Sequence, residues 1–388
     1  MTESCDVAIV GAGLVGATLA LALENAGLSV TLIEPRPPSA VDQHWDRRVY
    51  AVSPGSAALL ADVGAWQAMA VERVARVETM RIYGDALEAR LEFDAYEAGL
   101  GELAFIAESG RMQAALWQRL ACAPHVRLLC PAQCVALRRH EACAEIAFAS
   151  GMTLQARLVV GADGARSWVR EQAGIRVVEH DYAQCGVVAN FACALPHRDT
   201  ALQWFRADGV LALLPLPGDR VSMVWSTAEA HAQELLALDA AALASRVSDA
   251  SAGTVGALQV ITPAASFPLT MQRVAQLVAP RLALVGDAAH NVHPLAGQGV
   301  NLGFRDAREL AAVLSQRGAQ RDCGDFALLR RYERARKEDV LSMQLATDGL
   351  QKLFASRAVW LSQARNLGMR LMQSQRMLKD LLVKHAVA

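Results

Sequence analysis

The sequence predicts an α/β fold: a central parallel sheet, an interleaved antiparallel-sheet layer, and a helical C-terminal region. Three patterns predict it. Asp6 to Glu34 reads as strand, glycine-rich turn, helix and second strand; short strand-length runs with turns between them fill the middle; apolar residues at helical spacing fill the end. At 388 residues, 53% hydrophobic and 20% charged, the chain is globular and too long for one small core, so a large domain with a smaller one interleaved is expected.

A formal net charge of -1, with no Lys/Arg block interleaved with aromatics, argues against a nucleic-acid partner. The eight cysteines are scattered without CxxC or zinc spacing, so reduced thiols in a cytoplasmic protein are expected. The N-terminal apolar run lacks a basic flank and is broken by Gly11, Gly13 and Gly16, unlike a signal peptide. No apolar run is long enough for a transmembrane helix, which needs roughly eighteen residues.

In chain order, Val7 to Val10 is a buried strand, GAGLVG (Gly11 to Gly16) a turn, Ala17 to Asn25 helical, and Val30 to Ile33 a second strand ending on Glu34. Gly11 makes the tight turn, Gly13 admits a pyrophosphate, and Gly16 lets helix close on strand. Glu34 is placed to accept hydrogen bonds from an adenosine ribose. Arg47 and Arg48 sit in a loop feeding a helix from Ser56 to Gly64, and on composition alone they solvate that loop. Arg76 to Tyr96 alternates like an antiparallel sheet.

Ser109 to Ala121 reads as a helix capped by Ser109. Arg111 lies in its first turn, unfavourably for the dipole, so it meets either a ligand anion or a surface salt bridge. Strands at Val126 to Leu129, Cys134 to Leu137, Ala144 to Phe148 and Leu154 to Val160 lead into GADGARSWVR, whose Asp163 and Gly164 make a second glycine-acid turn. Val187 to Ser226 predicts an antiparallel sheet, and Trp204, Phe205, Leu213, Leu214 and Trp225 line either a pocket or its core. Helices follow at Ala228 to Leu238 and Asp239 to Val247.

Gly286 to Asp306, GDAAHNVHPLAGQGVNLGFRD, is a third glycine-rich turn that opens a helix from Asn301 to Gln316. His290 and His293 are read as ordering this loop, since HNVH alone lacks the ligands of a metal site; no metal is expected. Phe326 to Ala388 reads as a helical tail broken at Gly349 and Gly368. Its Arg365, Arg370, Arg376, Lys379 and Lys384 make either a packed cap or an amphipathic face for a membrane surface or partner. Three turns and one GxGxxG imply a single large dinucleotide, best fitted by FAD. The domains predicted are a discontinuous FAD-binding domain (1–75, 97–175 and 272–325), a substrate-binding sheet domain (76–96 and 176–271) and C-terminal helices (326–388).

GxGxxG with Glu34, GADGARSWVR and GDAAHNVHPLAGQGVNLGFRDA together resemble flavoprotein aromatic hydroxylases of the p-hydroxybenzoate-hydroxylase fold, with a Rossmann-like FAD-binding domain. HPLAGQGVNLG, YERARKEDVL and ATDGL are similar to the UbiH/UbiF-type ubiquinone-biosynthesis hydroxylases, and the resemblance spans the chain. It implies that Gly11, Gly13 and Gly16 hold the pyrophosphate, that Glu34 holds the ribose, and that Arg48 and Arg111 face the FAD. Asp163 and Gly164 would lie near the pyrophosphate and the path of a transient NAD(P)H donor, and Asp287 on the ribityl chain or pyrophosphate. Pro294 would pack beside the reacting face, with Gly297, Gln298, Gly299, Val300 and Asn301 at the pyrimidine edge of the ring.

The implied reaction is hydroxylation of a polyprenylated phenol or quinol with O2 through a flavin C4a-hydroperoxide. A hydroxylase of a small soluble aromatic acid and a non-catalytic flavin-binding subunit of a quinone-biosynthesis complex are the alternatives. The implied location is cytoplasmic, with peripheral contact to the inner membrane, association with other quinone-biosynthesis proteins and homo-oligomerisation left open.

Overall fold

The computed structural model describes residues 2–41, 43–84, 90–291, 299–318 and 320–355, and of 342–355 the backbone alone. Five parallel strands form the centre of one eight-stranded sheet, in the spatial order Leu282–Leu284, Thr153–Gly161, Thr2–Val10, Val30–Ile33 and Val126–Leu129. Val7, Ile9, Leu32, Leu158 and Val160 are buried, as strands covered on both faces require. The hairpin Cys134–Arg139 and Ala144–Phe148 extends antiparallel from the early half of Thr153–Gly161.

A second eight-stranded sheet runs in the order His290–Asn291, Leu258–Val274, Val177–Cys193, Arg220–Ala228, Gly209–Leu216, Thr200–Arg206, Thr79–Tyr83 and Arg90–Asp94. Its two-residue edge strand pairs His290 with Arg273 and Asn291 with Gln272, so the third glycine-rich turn leads directly into this sheet. A small three-stranded sheet of Val49–Val52, Ala104–Glu108 and Ala75–Val77 lies beneath it. Phe191, Leu213, Met223, Trp204 and Trp225 pack under the helices Glu229–Ala237 and Ala240–Ala250. Of the five aromatic and leucine positions with two readings, Trp204, Leu213 and Trp225 are therefore core. Leu214 packs on the other side, against the small sheet.

Three helices brace the parallel sheet. Leu14–Ala22 packs against Gly299–Ser315, which packs in turn against Phe326–Ala355. The last of these is fixed to the sheet by two buried bonds: the Tyr332 hydroxyl donates to the Leu284 carbonyl at 2.8 Å, and Glu333 accepts from the Leu277 N–H at 2.9 Å.

Some boundaries differ from the sequence reading for local reasons. The helix expected from Ser56 begins at Pro54, because Ser53 caps it by accepting the Ser56 N–H and proline suits the first turn. The helix expected from Asn301 begins at Gly299. Glu108, not Ser109, is the cap residue of Ser109–Leu120, and its side chain does no capping. The final described helix passes through Gly349 without a break, glycine being costly but tolerated within a long helix. Gly368 and the five tail cations lie outside the described residues. No helix among the described residues is long and apolar enough to cross a membrane, and all eight cysteines are free.

Tyr332→Phe should lower stability by about 1–2 kcal/mol, since it strands a buried carbonyl at little change in volume. A urea midpoint equal to that of the unaltered protein would show that Leu284 does not depend on the hydroxyl.

Candidate functional site

The three glycine-rich turns lie side by side at the carboxyl edge of the parallel sheet. Val10 is in register with Gly161, and Gly161 with Leu284, so the turns beginning at Gly11, Gly161 and Gly286 leave adjacent strands. In open α/β sheets this edge is where ligands bind.

The first turn is fitted to its neighbours within tenths of an ångström. Gly11 has φ +104°, and a Cβ there would stand 2.4 Å from the Ala162 oxygen; a Cβ on Gly16 would stand 2.0 Å from the Gly11 oxygen. Gly13 is different, because nothing lies within 4 Å of its Cβ position. It precedes a helix with no capping side chain and no acid in the first turn, so the helix N–H groups and partial positive charge face open space. The Ala12 carbonyl accepts from Trp117 Nε1 at 2.9 Å, and the Ala12 N–H donates to Glu34 Oε2 at 2.8 Å. Glu34 thus uses one oxygen to hold the turn, and its Oε1 accepts from the Arg36 N–H at 3.3 Å.

In the second turn the Asp163 carboxylate is taken up locally. It accepts from Ser167 Oγ at 2.5 Å and from the Val169 N–H at 3.0 Å, fixing the start of Trp168–Gln172. Burial raises its pKa, and these bonds offset that only in part. Gly164, at φ +81°, has open space at its Cβ position. Arg170 ties the second turn to the third, donating to the Ala165 carbonyl at 2.8 Å and the Ala288 carbonyl at 3.0 Å.

The third turn is held from behind by Asp306, which is fully buried on the Gly299–Ser315 helix. Its carboxylate accepts from the Gly286 N–H at 2.8 Å, His290 Nε2 at 2.6 Å and Arg336 Nε at 2.7 Å. Burial would raise the Asp306 pKa, but His290 and Arg336 outweigh it and hold the carboxyl below its ordinary range. Arg336 also pairs with Asp339, 2.5 Å away. Sequence reading quoted Asp306 without giving it a role. The available signal was an acid on an apolar helix stripe with Phe304, Ala307 and Leu310, where an unpaired charge is too costly to keep.

In front of the turn, Asp287 is half-buried, and among the described residues no donor reaches its carboxylate. Burial raises its pKa against the opposing charges of His290 and Arg48. Arg48 lies over the Tyr50 ring at 5.2 Å, and the Tyr50 hydroxyl, raised by burial, senses both Arg48 and Asp287. The structure thus brings Arg48 and Asp287 together. Arg111 is held by Glu108, Nε to Oε2 at 3.0 Å. Its unfavourable place in the first turn is compensated by a carboxylate of the protein. Asn301 is spent structurally: Oδ1 accepts the Ser53 N–H at 2.9 Å and Nδ2 donates to the Ala51 carbonyl at 2.8 Å. The first-turn N–H groups of Gly299, Val300 and Asn301 have no partner within their own helix. His293, Pro294, Gly297 and Gln298 lie outside the described residues. No group of three or more His, Cys, Asp or Glu among the described residues is arranged to hold a metal.

The residues present fit a dinucleotide: an open glycine at a helix start, a half-buried carboxylate without a donor, and a second open glycine at adjacent strand ends. The comparisons agree. A model of the FAD binding domain family matches residues 4–344. The chain is 38% identical to the 3-demethoxyubiquinol 3-hydroxylase of Escherichia coli over 99% of both chains. It is 38% identical to the ubiquinone hydroxylase UbiL of Rhodospirillum rubrum, over 98% of this chain and 89% of that one. The crystal structure of p-nitrophenol 4-monooxygenase PnpA from Pseudomonas putida superposes with TM-score 0.81 at 18% identity, covering 100% of this chain and 99% of that one.

Gly13→Ser should leave apoprotein stability within about 0.5 kcal/mol, since serine caps well and meets no atom, yet weaken FAD binding about tenfold or more. Gly16→Ala should instead cost ~3 kcal/mol of stability from its overlap with Gly11. Thermal melts of the apoproteins and FAD titrations separate the two effects; equal melting losses would refute the distinction. Asp306→Asn should destabilise by about 3–5 kcal/mol by leaving Arg336 and His290 short of charge. Because the Asp306 pKa is depressed on folding, its stabilisation is complete above the unfolded value of about 4 and is lost as pH falls through the folded value. Urea midpoints followed into acid should fall less steeply in Asp306→Asn; parallel slopes would count against this linkage.

Proposed function

The chain belongs to the FAD binding domain family and is an FAD-dependent monooxygenase, and we propose that it hydroxylates the ring of a polyprenylated phenol or quinol in ubiquinone biosynthesis. The observation that carries the substrate class is the likeness to two ubiquinone-pathway hydroxylases over nearly the whole chain. FAD, when bound, supplies the redox and oxygen-activating chemistry, with NAD(P)H as the transient donor. The protein binds, orients and excludes water. Gly13 and the Leu14–Ala22 helix start would receive the pyrophosphate, and Glu34 would hold the adenosine ribose through Oε1, which here accepts only a 3.3 Å bond from the Arg36 N–H. Asp287 accepts from the ribityl hydroxyls, with Arg48 beside it. The first-turn N–H groups of Gly299, Val300 and Asn301 would meet the pyrimidine edge of the ring.

The large sheet presents a mostly neutral face toward the loop that carries Arg48. Strand registers put Val188, Asn190, Ala212, Leu214, Ser222, Val224 and Gln203 on the face away from its two helices. Asn190 on that face donates to the Asp46 carbonyl, so the face looks toward the loop that carries Arg48. These central positions hold apolar or neutral side chains, while Arg220, on the same face by register and 5.7 Å from the Trp45 ring, and Arg48 supply cations at its margin.

Purified protein given FAD, a donor, 18O2 and a polyprenylated phenol should yield a product carrying one labelled oxygen. Hydroxylation of a small aromatic acid in preference, or wild-type quinone levels in cells carrying Gly13→Ser protein that holds no FAD, would overturn the proposal.

A further inference from the structure

The loop from Gln43 to Arg48 carries one of the cations facing Asp287, and it has no regular secondary structure of its own. Its shape is imposed from outside, and most of the bonds trace back to one carboxylate. Glu108 is 2% exposed, and all four acceptor directions of its side chain are filled. Oε1 takes the Asp46 N–H at 2.6 Å and Arg73 Nη2 at 2.8 Å; Oε2 takes Arg73 Nε at 2.8 Å and Arg111 Nε at 3.0 Å. The bidentate pair fixes the plane of the Arg73 guanidinium. From that plane Arg73 reaches the carbonyls of Gln43 and His44, each at 3.1 Å, and lies 3.7 Å from the centre of the Trp45 ring.

The grip continues to Arg48. Asp46, held through its N–H by Glu108, accepts the Arg48 N–H on Oδ1 and the Gly110 N–H on Oδ2, each at 2.9 Å. The Arg48 carbonyl accepts from Ser109, the residue following Glu108, at 2.9 Å. Glu108 therefore acts on Arg48 along two short paths, while Arg48 is itself exposed and held by its main chain.

We propose that Glu108 is a positioning residue that sets Arg48 against the cofactor side of the site, an inference that rests on the flavin reading above. Without its charge, Arg73 loses the plane from which it holds Gln43 to Trp45, Asp46 loses its N–H acceptor, and Arg48 no longer has a fixed approach to Asp287. Glu108 is buried with its acceptors taken by protein donors, so its effect on binding runs through the loop to Arg48.

A double-variant cycle on FAD affinity tests this, read by flavin fluorescence on titrating the apoprotein. Glu108→Gln and Arg48→Met should each raise Kd about tenfold, and the double variant should bind no more weakly than Arg48→Met alone. A wild-type Kd in Glu108→Gln, or a double variant whose loss is the product of the single ones, overturns the proposal, because Glu108 would then serve the fold and not Arg48. Should Glu108→Gln fail to fold, Arg73→Lys takes its place in the cycle with the same expectation, since lysine keeps the charge and loses the fork. Failure of the underlying reading looks different. Arg48→Met binding FAD like the unaltered protein removes Arg48 from the cofactor, and wild-type apoprotein that binds no FAD removes the cofactor itself.

Discussion

One fully buried carboxylate, Asp306, fixes where the third turn can be. Two segments converge on it: the third turn, through the Gly286 N–H and the His290 ring, and the last described helix, through the Arg336 guanidinium. A carboxylate with no solvent exposure is tolerated only if its partners replace the lost hydration. The requirement is also geometric. The turn cannot shift along the sheet without stranding the charge, and the last described helix cannot slide without withdrawing Arg336. Asp287, one residue past Gly286, takes its position from this arrangement.

Close packing around three glycines sets the same turn against the first. A Cβ on Gly303 would lie 2.6 Å from Val15 and 3.2 Å from the Gly286 Cα, so only glycine lets the Gly299–Ser315 helix, the third turn and the first helix meet there. Gly11 and Gly16 do the equivalent work between the first turn and Ala162. The floor of the site is thus rigid for steric reasons on one side and electrostatic ones on the other. Gly13 and Gly164 stand out because the space at their Cβ positions is open. At Gly164 the backbone itself calls for glycine, with φ +81°, whereas at Gly13 neither the packing nor a positive φ does.

What was legible in the sequence follows from the range of the interaction responsible. The βαβ unit, the hairpin at Cys134–Arg139 and Ala144–Phe148, and the two helices after the large sheet are local patterns of period and turn, and all are present. The first helix runs Leu14–Ala22, however, and so begins inside the glycine-rich turn, three residues before the expected Ala17. Arg111 gave a true local signal, a cation at the wrong end of a helix, but local reasoning did not supply its partner, the preceding Glu108. Asn301 was read for its main chain, whereas its amide joins residues 248 and 250 positions away. Glu108 and Arg73, 35 residues apart, carry no motif at all. Pairings of that kind are set by topology, which spacing does not encode.

The distribution of charge then says what sort of ligand the site is built for. The buried acids Asp306 and Glu108 and the half-buried Asp163 are already engaged by protein donors. Asp287 keeps its acceptors open among the described residues, and Glu34 commits one oxygen to Ala12. Positive character comes chiefly from helix starts at Leu14 and Gly299 and from Arg48, which suits a ligand with an anionic pyrophosphate and hydroxyls between two ring systems. The large sheet offers neutral and apolar side chains toward the same space. A molecule so divided spends its charged groups on the cofactor and leaves the substrate side to shape and desolvation. That division supports the substrate class proposed above, a ring that brings no charge of its own to be paired.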